Sequence, residues 1–176
     1  MPVMPPQTIL IVDDDASIVH LLKEDLELEG YRVLEGYDGQ MALQIARMSH
    51  PHLIILDVNM PLISGLKALE YLRESDITKM IPILFLTGEA SANVAPRLTT
   101  EPRVAHVKKP IDLEDLNSLV RQLLEKYPTD IAGFLKKAAT DENWRRAFEA
   151  ASSHRSPDVD PTNAAARLAE HLSRKC

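Results

Sequence analysis

Two aspartates, Asp13 and Asp14, follow directly on the apolar run Ile9-Leu10-Ile11-Val12, and a third, Asp57, follows on Leu53-Ile54-Ile55-Leu56. If both runs are parallel strands of one sheet, all three carboxylates meet at the carboxyl ends of the strands, where open α/β sheets bind ligands. Carboxylates brought together repel, and burial adds to that cost, unless a cation neutralises them. A hard divalent ion with oxygen ligands answers both demands, and Mg²⁺ is the common one in phosphate chemistry. Thr87, after Ile83-Leu84-Phe85-Leu86, and Lys109, after Arg103 to Val107, fall on the same edge. A hydroxyl donor and an ammonium beside metal-binding carboxylates complement a phosphoryl group.

Those strand ends coincide only if the chain alternates strands with helices. Ile9 to Val12 is short, β-branched and continuous, which suits a strand buried on both faces. Ile18, Leu21, Leu22, Leu26 and Leu28 then recur near helical spacing, predicting a helix over Ala16 to Glu29, with Asp15 as N-cap and Gly30 as a left-handed C-cap. Further strands are expected at Tyr31 to Glu35, Leu53 to Leu56, Ile83 to Leu86 and Arg103 to Val107, and helices at Gly39 to Met48, Leu66 to Glu74 and Leu113 to Lys126. Asp38-Gly39 reads as a simple turn. Such alternation implies a doubly wound α/β fold, a parallel sheet with helices on both faces. Pro96 falls where the crossover helix before the last strand belongs, so that helix is expected to be short, displaced or missing.

With these residues in place the chain resembles the receiver domains of two-component response regulators. The resemblance rests on Ile9-Leu-Ile-Val-Asp-Asp-Asp15, Asp38-Gly39, Leu53-Ile-Ile-Leu-Asp-Val-Asn-Met-Pro61 with Gly65, Leu84-Phe-Leu-Thr87, and Lys108-Lys-Pro110, in the family's order and spacing. It implies a flavodoxin-like five-stranded sheet in the order 2-1-3-4-5. It also implies Asp57 as phospho-acceptor, Asp14 as a direct Mg²⁺ ligand, and Asp13 as a neighbour acting through water. Asn59 would offer its backbone carbonyl to the metal, and Lys109 would pair with phosphoryl oxygens. Thr87 would hydrogen-bond the phosphoryl group and transmit its presence to position 106. Asn59 and Glu89 would flank the path of the hydrolysing water and set the dephosphorylation rate, here toward a short lifetime. The donor implied is a histidine kinase or a phosphotransfer protein, and the output a surface that switches toward a downstream protein partner.

Departures from the family qualify this. The usual aromatic at position 106 is His106, whose charge can change near neutral pH. Thr99-Thr100-Glu101-Pro102 replaces a Gly-Ala pair, and the acidic residues used by winged-helix regulators in a dimer are missing from the fifth strand. Two rival readings stay open: an interaction module that never uses its acidic site, and an aspartyl phosphatase. The second would want an acid-base aspartate where Asn59 stands. The leading reading is therefore a switch that assists its own phosphorylation and dephosphorylation and is not a dedicated enzyme. His20, His50 and His52 lack partners at metal-ligand spacing and read as ordinary helix or loop residues.

Residues 1–127 are expected to form the receiver and 128–176 a helical extension. Candidate helices in the extension run over Ile131 to Ala139, Glu142 to Ala151, and from Asp160-Pro161 through Leu172. Such short helices form little core alone, so they would pack on the receiver, on a second copy in a homodimer, or on a partner. The net charge of −6 lies in the first part: 12 basic against 19 acidic residues precede residue 128, and 8 against 7 follow. That balance, without a basic recognition helix, argues against DNA binding. No apolar run approaches the roughly 18 residues of a membrane span. The lone cysteine, Cys176, has no partner for a disulfide, which fits a reducing cytoplasm.

Overall fold

A computed structural model describes residues 6–88, 98, 100–128 and 142. The chain divides into two units, Pro5–Thr129 and one made of Met1–Met4 with Asp130–Cys176; the elements below belong to the first. In order they are β1 (Thr8–Val12), α1 (Ala16–Leu28), β2 (Arg32–Gly36), α2 (Gly39–Ser49), β3 (Leu53–Asp57), α3 (Gly65–Glu74), β4 (Ile83–Thr87), β5 (Val104–Lys108) and α4 (Leu113–Lys126). The strands form one sheet, β2-β1-β3-β4-β5, with every neighbouring pair parallel. This is the doubly wound order expected.

Strand alternation sorts the apolar side chains onto two faces. Ile9 and Ile11 of β1 pack with Val19, Leu22 and Leu26 of α1 and with Leu116 and Val120 of α4. Leu10 and Val12 turn the other way, toward Ala42 and Ala46 of α2 and Ala68 and Leu72 of α3. All five residues of β3 and of β4 are buried, which is why each is apolar without alternation up to its last residue, Asp57 or Thr87. Each fully buried Leu or Ile contributes about 1.5–3 kcal/mol. Phe85, the largest fully buried side chain among the described residues, anchors the second layer, and Phe85→Ala would cost about 3–5 kcal/mol.

Helix starts follow side-chain caps. Asp15 accepts from the Ser17 amide, Asp38 from Met41, Ser64 from Lys67, and Asp112 from Glu114 and Asp115, each cap being worth about 1 kcal/mol. Gly30 exits α1 at φ 91°, a left-handed conformation that other side chains resist. The differences from the expected boundaries have local causes. Tyr31 is not yet strand because its amide still bonds the Leu26 carbonyl at the end of α1. Arg103 stands outside β5 because its φ of 65° is not extended, although its carbonyl accepts from Ile83. Pro96, the crossover segment around it and the three candidate helices of the extension lie outside the described residues.

Candidate acidic site at the carboxyl edge of the sheet

The register of the sheet brings the ends of β1, β3, β4 and β5 together. Val12 is paired with Leu56, Asp57 with Leu86, and Thr87 with Lys108. Asp13 and Asp14 thus leave β1 beside the end of β3, and one ligand atom from each of Asp13, Asp14 and Asp57 lies within 4.8 Å of the others. Asp13 and Asp57 are buried and Asp14 is exposed, so the cluster opens to solvent on the Asp14 side.

Lys109 partly neutralises the two buried carboxylates. Its Nζ donates to Asp13 Oδ2 at 2.7 Å and lies 2.8 Å from Asp57 Oδ1. The ammonium is held over the strand ends by the Lys109 amide, which donates to the Thr87 carbonyl at 2.8 Å, and the bond to Pro110 is cis. Burial pulls the Lys109 pKa down, but hydrogen bonds to Asp13 and Asp57 outweigh it and the ammonium is held above its ordinary value. Burial drives the Asp57 carboxyl upward; the hydrogen bond from Lys109 opposes this, and the charge of Asp13 adds to the rise. Among the described residues Lys109 is the cation paired within this group of three carboxylates, which leaves them short of positive charge, and their donors are all hard oxygens, so the residues fit a divalent ion of the Mg²⁺ class.

Asp57 is oriented by its own loop. The Asn59 amide donates to Asp57 Oδ2 at 2.8 Å, and the loop closes where the Gly65 amide bonds the Val58 carbonyl at 3.0 Å. A Cβ on Gly65 would sit 2.1 Å from the Asp57 carbonyl oxygen, so only glycine lets α3 start this close beneath the acceptor strand. Asp13 is fixed in the same manner, its Oδ1 accepting from the Asp15 amide at 2.9 Å. Thr87 is buried and donates to the Val107 carbonyl at 3.2 Å. His106, half-buried, lies opposite Phe85 in the ladder, and by alternation shares the face of Val104.

The structure therefore brings together Asp13, Asp14, Asp57 and Lys109, with Thr87 and Asn59 on adjoining strand ends. Glu89 lies outside the described residues. Asp38-Gly39 does more than turn the chain. Asp38 caps α2, and a Cβ on Gly39 would meet the Ile63 carbonyl at 2.4 Å, so this pair fits α2 against the acceptor loop. The signal was in the residue types, a cap followed by a glycine, but the contact across the sheet edge has no local signature. Two histidines carry structure, as expected. His50 Nε2 lies 2.9 Å from the Ile77 carbonyl, and His52 Nδ1 accepts from the Thr8 amide at 2.9 Å. His20 does have a carboxylate neighbour, Glu24 at 3.3 Å, but one helical turn away on an exposed surface.

Residues 9–121 match the family model described as the response regulator receiver domain. A probable transcriptional regulator, ycf27 of Cyanophora paradoxa, is 40% identical over 121 residues, covering 67% of this chain and 48% of the relative. The alkaline phosphatase synthesis transcriptional regulatory protein PhoP of Bacillus subtilis is 34% identical over 137 residues, 76% of this chain and 54% of the relative. Among solved structures, a putative response regulator from Chloroflexus aurantiacus superposes with a TM-score of 0.64 at 31% identity, covering 68% of this chain and 98% of that one. The chain spans about half the length of the curated transcriptional regulators it matches. Because those relatives are named as transcriptional regulators, they lend no support to the expectation that this chain avoids DNA.

Proposed function

Since the chain belongs to the response regulator receiver domain family, we propose that Asp57 accepts a phosphoryl group from a histidine kinase or phosphotransfer protein in the presence of Mg²⁺. The observation that carries this reading is the buried Asp57 carboxylate clustered with Asp13 and Asp14 and paired with Lys109 at 2.8 Å. In it, Asp14, Asp57 and the Asn59 backbone carbonyl would hold the ion directly, and Asp13 would hold it through water. A bound Mg²⁺ would supply the positive charge that the arriving phosphoryl oxygens and the three carboxylates together require.

The side chains then have separable tasks. Asp57 Oδ2 is aimed by the Asn59 amide, so the nucleophile is preorganised. Lys109 bridges Asp13 and Asp57 before transfer, and exchanging the Asp57 contact for a phosphoryl oxygen keeps its charge compensated throughout. Thr87 would give up the Val107 carbonyl for the phosphoryl group, and His106, one residue before Val107, would respond to that exchange. Asn59 and Glu89 would admit and orient the water that ends the signal. Phosphorylation thereby acts as a switch, with the chain assisting its own loading and unloading, and we assign no other catalysis to it.

We take residues 1–127 as the receiver, whose switched surface meets a downstream protein, and 128–176 as a helical extension. Among the described residues no helix is long and apolar enough to cross a membrane, and we place the protein in the cytoplasm. The test is intact mass after incubation with acetyl phosphate and Mg²⁺. One added phosphoryl group in wild type and none in Asp57→Asn supports the switch. No gain in wild type would refute it, and steady turnover of phosphate esters would favour an aspartyl phosphatase.

A further inference from the structure

Leu62 stands apart from every other apolar side chain described. It is 99% exposed, and its φ is 65°. The Ile63 amide donates to the Pro61 carbonyl at 2.8 Å, so Leu62 is the central residue of a γ-turn in its rare positive-φ form. A branched side chain resists that conformation, and glycine or asparagine would occupy it with less strain. Leu28, Met80, Leu21 and Tyr37 are also exposed, but none of them combines exposure with a positive φ. An apolar side chain held in a strained backbone and surrounded by water contributes nothing to this fold, and such outliers are retained where a function uses them.

The place of Leu62 says what that use is. It caps the loop that leaves β3, whose Asn59 amide aims Asp57 and whose ends are tied by Gly65 to Val58. Asp57 itself is 3% exposed, so a donor must bring its phosphoryl group down onto the sheet edge and cover this loop as it does so. Around that edge the exposed side chains of Asp14, Asp15 and Lys108 are charged. Tyr37, after β2, is 40% exposed on the same edge, but among the described residues there Leu62 is the apolar side chain that stands fully in solvent, and an aliphatic projection beside charged neighbours can serve as an interface anchor.

We propose that Leu62 is the apolar anchor by which the protein that donates the phosphoryl group docks, inserting into an apolar recess beside the donor's phosphohistidine. The inference rests on Asp57 as acceptor. In the transfer it serves, an Asp57 carboxylate oxygen attacks phosphorus and the P–N bond breaks. The electron pair of that bond passes to the imidazole nitrogen, and imidazole, already protonated on its other nitrogen, leaves neutral. Leu62 touches none of these atoms; it sets how often and how long the donor is seated.

Two donors of the same chemistry separate docking from acceptance: phosphoimidazole, too small to reach Leu62, and autophosphorylated histidine-kinase cores from the source genome, using the core that loads wild type fastest. Leu62→Asn, which accepts a positive φ, should take label from phosphoimidazole at the wild-type rate within about twofold. Its kcat/KM with the kinase core should fall about tenfold or more, and Leu62→Met should restore most of the loss. A melting temperature at or above that of wild type checks that Leu62→Asn folds. Equal kinase rates for wild type and Leu62→Asn would overturn the anchor while leaving the acceptor standing, as would an equal slowing with both donors. Failure of wild type to take label from either donor would instead overturn the acceptor, and the anchor with it.

Discussion

Replacing Asp57 with asparagine should stabilise the protein in the absence of divalent cations, although it removes an ion pair. The balance can be worked from the site. With an effective dielectric constant of about 20, Lys109 at 2.8 Å attracts the Asp57 carboxylate by about 6 kcal/mol. A carboxylate at 4.8 Å, the outer bound for Asp13, repels it by about 3.5 kcal/mol. At most about 2.5 kcal/mol of the attraction remains, and less once Asp14, within the same bound of Asp57, is counted; this faces a desolvation cost of several kcal/mol for a buried ion. The raised pKa of Asp57, with burial as its largest cause, decides the sign: the folded site disfavours this charge. The amide keeps the shape and the acceptor for the Asn59 amide; its NH2 group, a donor, then stands where Oδ1 met Lys109, so Lys109 pairs with Asp13 alone. We expect a gain of about 1–3 kcal/mol, or about 3–9 °C in melting temperature, measured by thermal and urea unfolding in EDTA. Adding Mg²⁺ should narrow the gap by stabilising wild type more. A variant that melts below wild type in EDTA would refute the view that Asp57 is held at a cost to stability.

Asp14→Ala should weaken Mg²⁺ binding about tenfold or more by titration calorimetry, because a site of three carboxylates loses much of its field with one of them; unchanged affinity would sink the metal assignment. The phosphorylated protein should lose its label within minutes, and Asn59→Met or Glu89→Leu should prolong it several-fold, followed by decay of purified phosphoprotein; a wild-type lifetime of many hours would show that these residues do not set the clock. Burial lowers the His52 pKa below 6.5, and its neutral Nδ1 accepts from Thr8. That contribution is complete above pH 6.5 and is lost as pH falls through the lower folded-state value. His52→Gln, which can still accept from Thr8, should therefore remove about 1 kcal/mol of acid sensitivity from urea unfolding between pH 7.5 and 5. A wild-type pH profile identical to that of the variant would contradict it.

The layers of this fold were legible because burial on both faces of β3 and β4 leaves a run of apolar residues that nothing but a central strand explains. The cap at Asp15 was legible for a similar reason, since it serves its own next turn, whereas Asp38 read as a turn and proved to cap α2 as well. Convergence of Asp13, Asp14 and Asp57 followed from topology alone, since parallel strands put all their carboxyl ends on one edge. The particular contacts made across that edge were less legible, although Lys109 was expected beside the carboxylates. Nothing near Lys109 announces that it bridges Asp13 and Asp57, and nothing near Gly39 or Gly65 announces a backbone a few ångströms away. Leu62 was invisible for another reason: its residue type argues for burial, and only its φ and exposure reveal a side chain placed against its own preference. The start of β5 was misplaced by one residue because a positive φ at Arg103 has no composition signal.

The most direct test of Asp57 as the acceptor locates the phosphoryl group chemically. Protein treated with acetyl phosphate and Mg²⁺ is reduced with borohydride, which converts an aspartyl phosphate to homoserine, and its peptides are sequenced by tandem mass spectrometry. Reduction at position 57 and nowhere else, lost when Mg²⁺ is withheld, is the predicted result. Reduction at Asp13 or Asp14, or no reduced aspartate in protein that has gained a phosphoryl group, would contradict it.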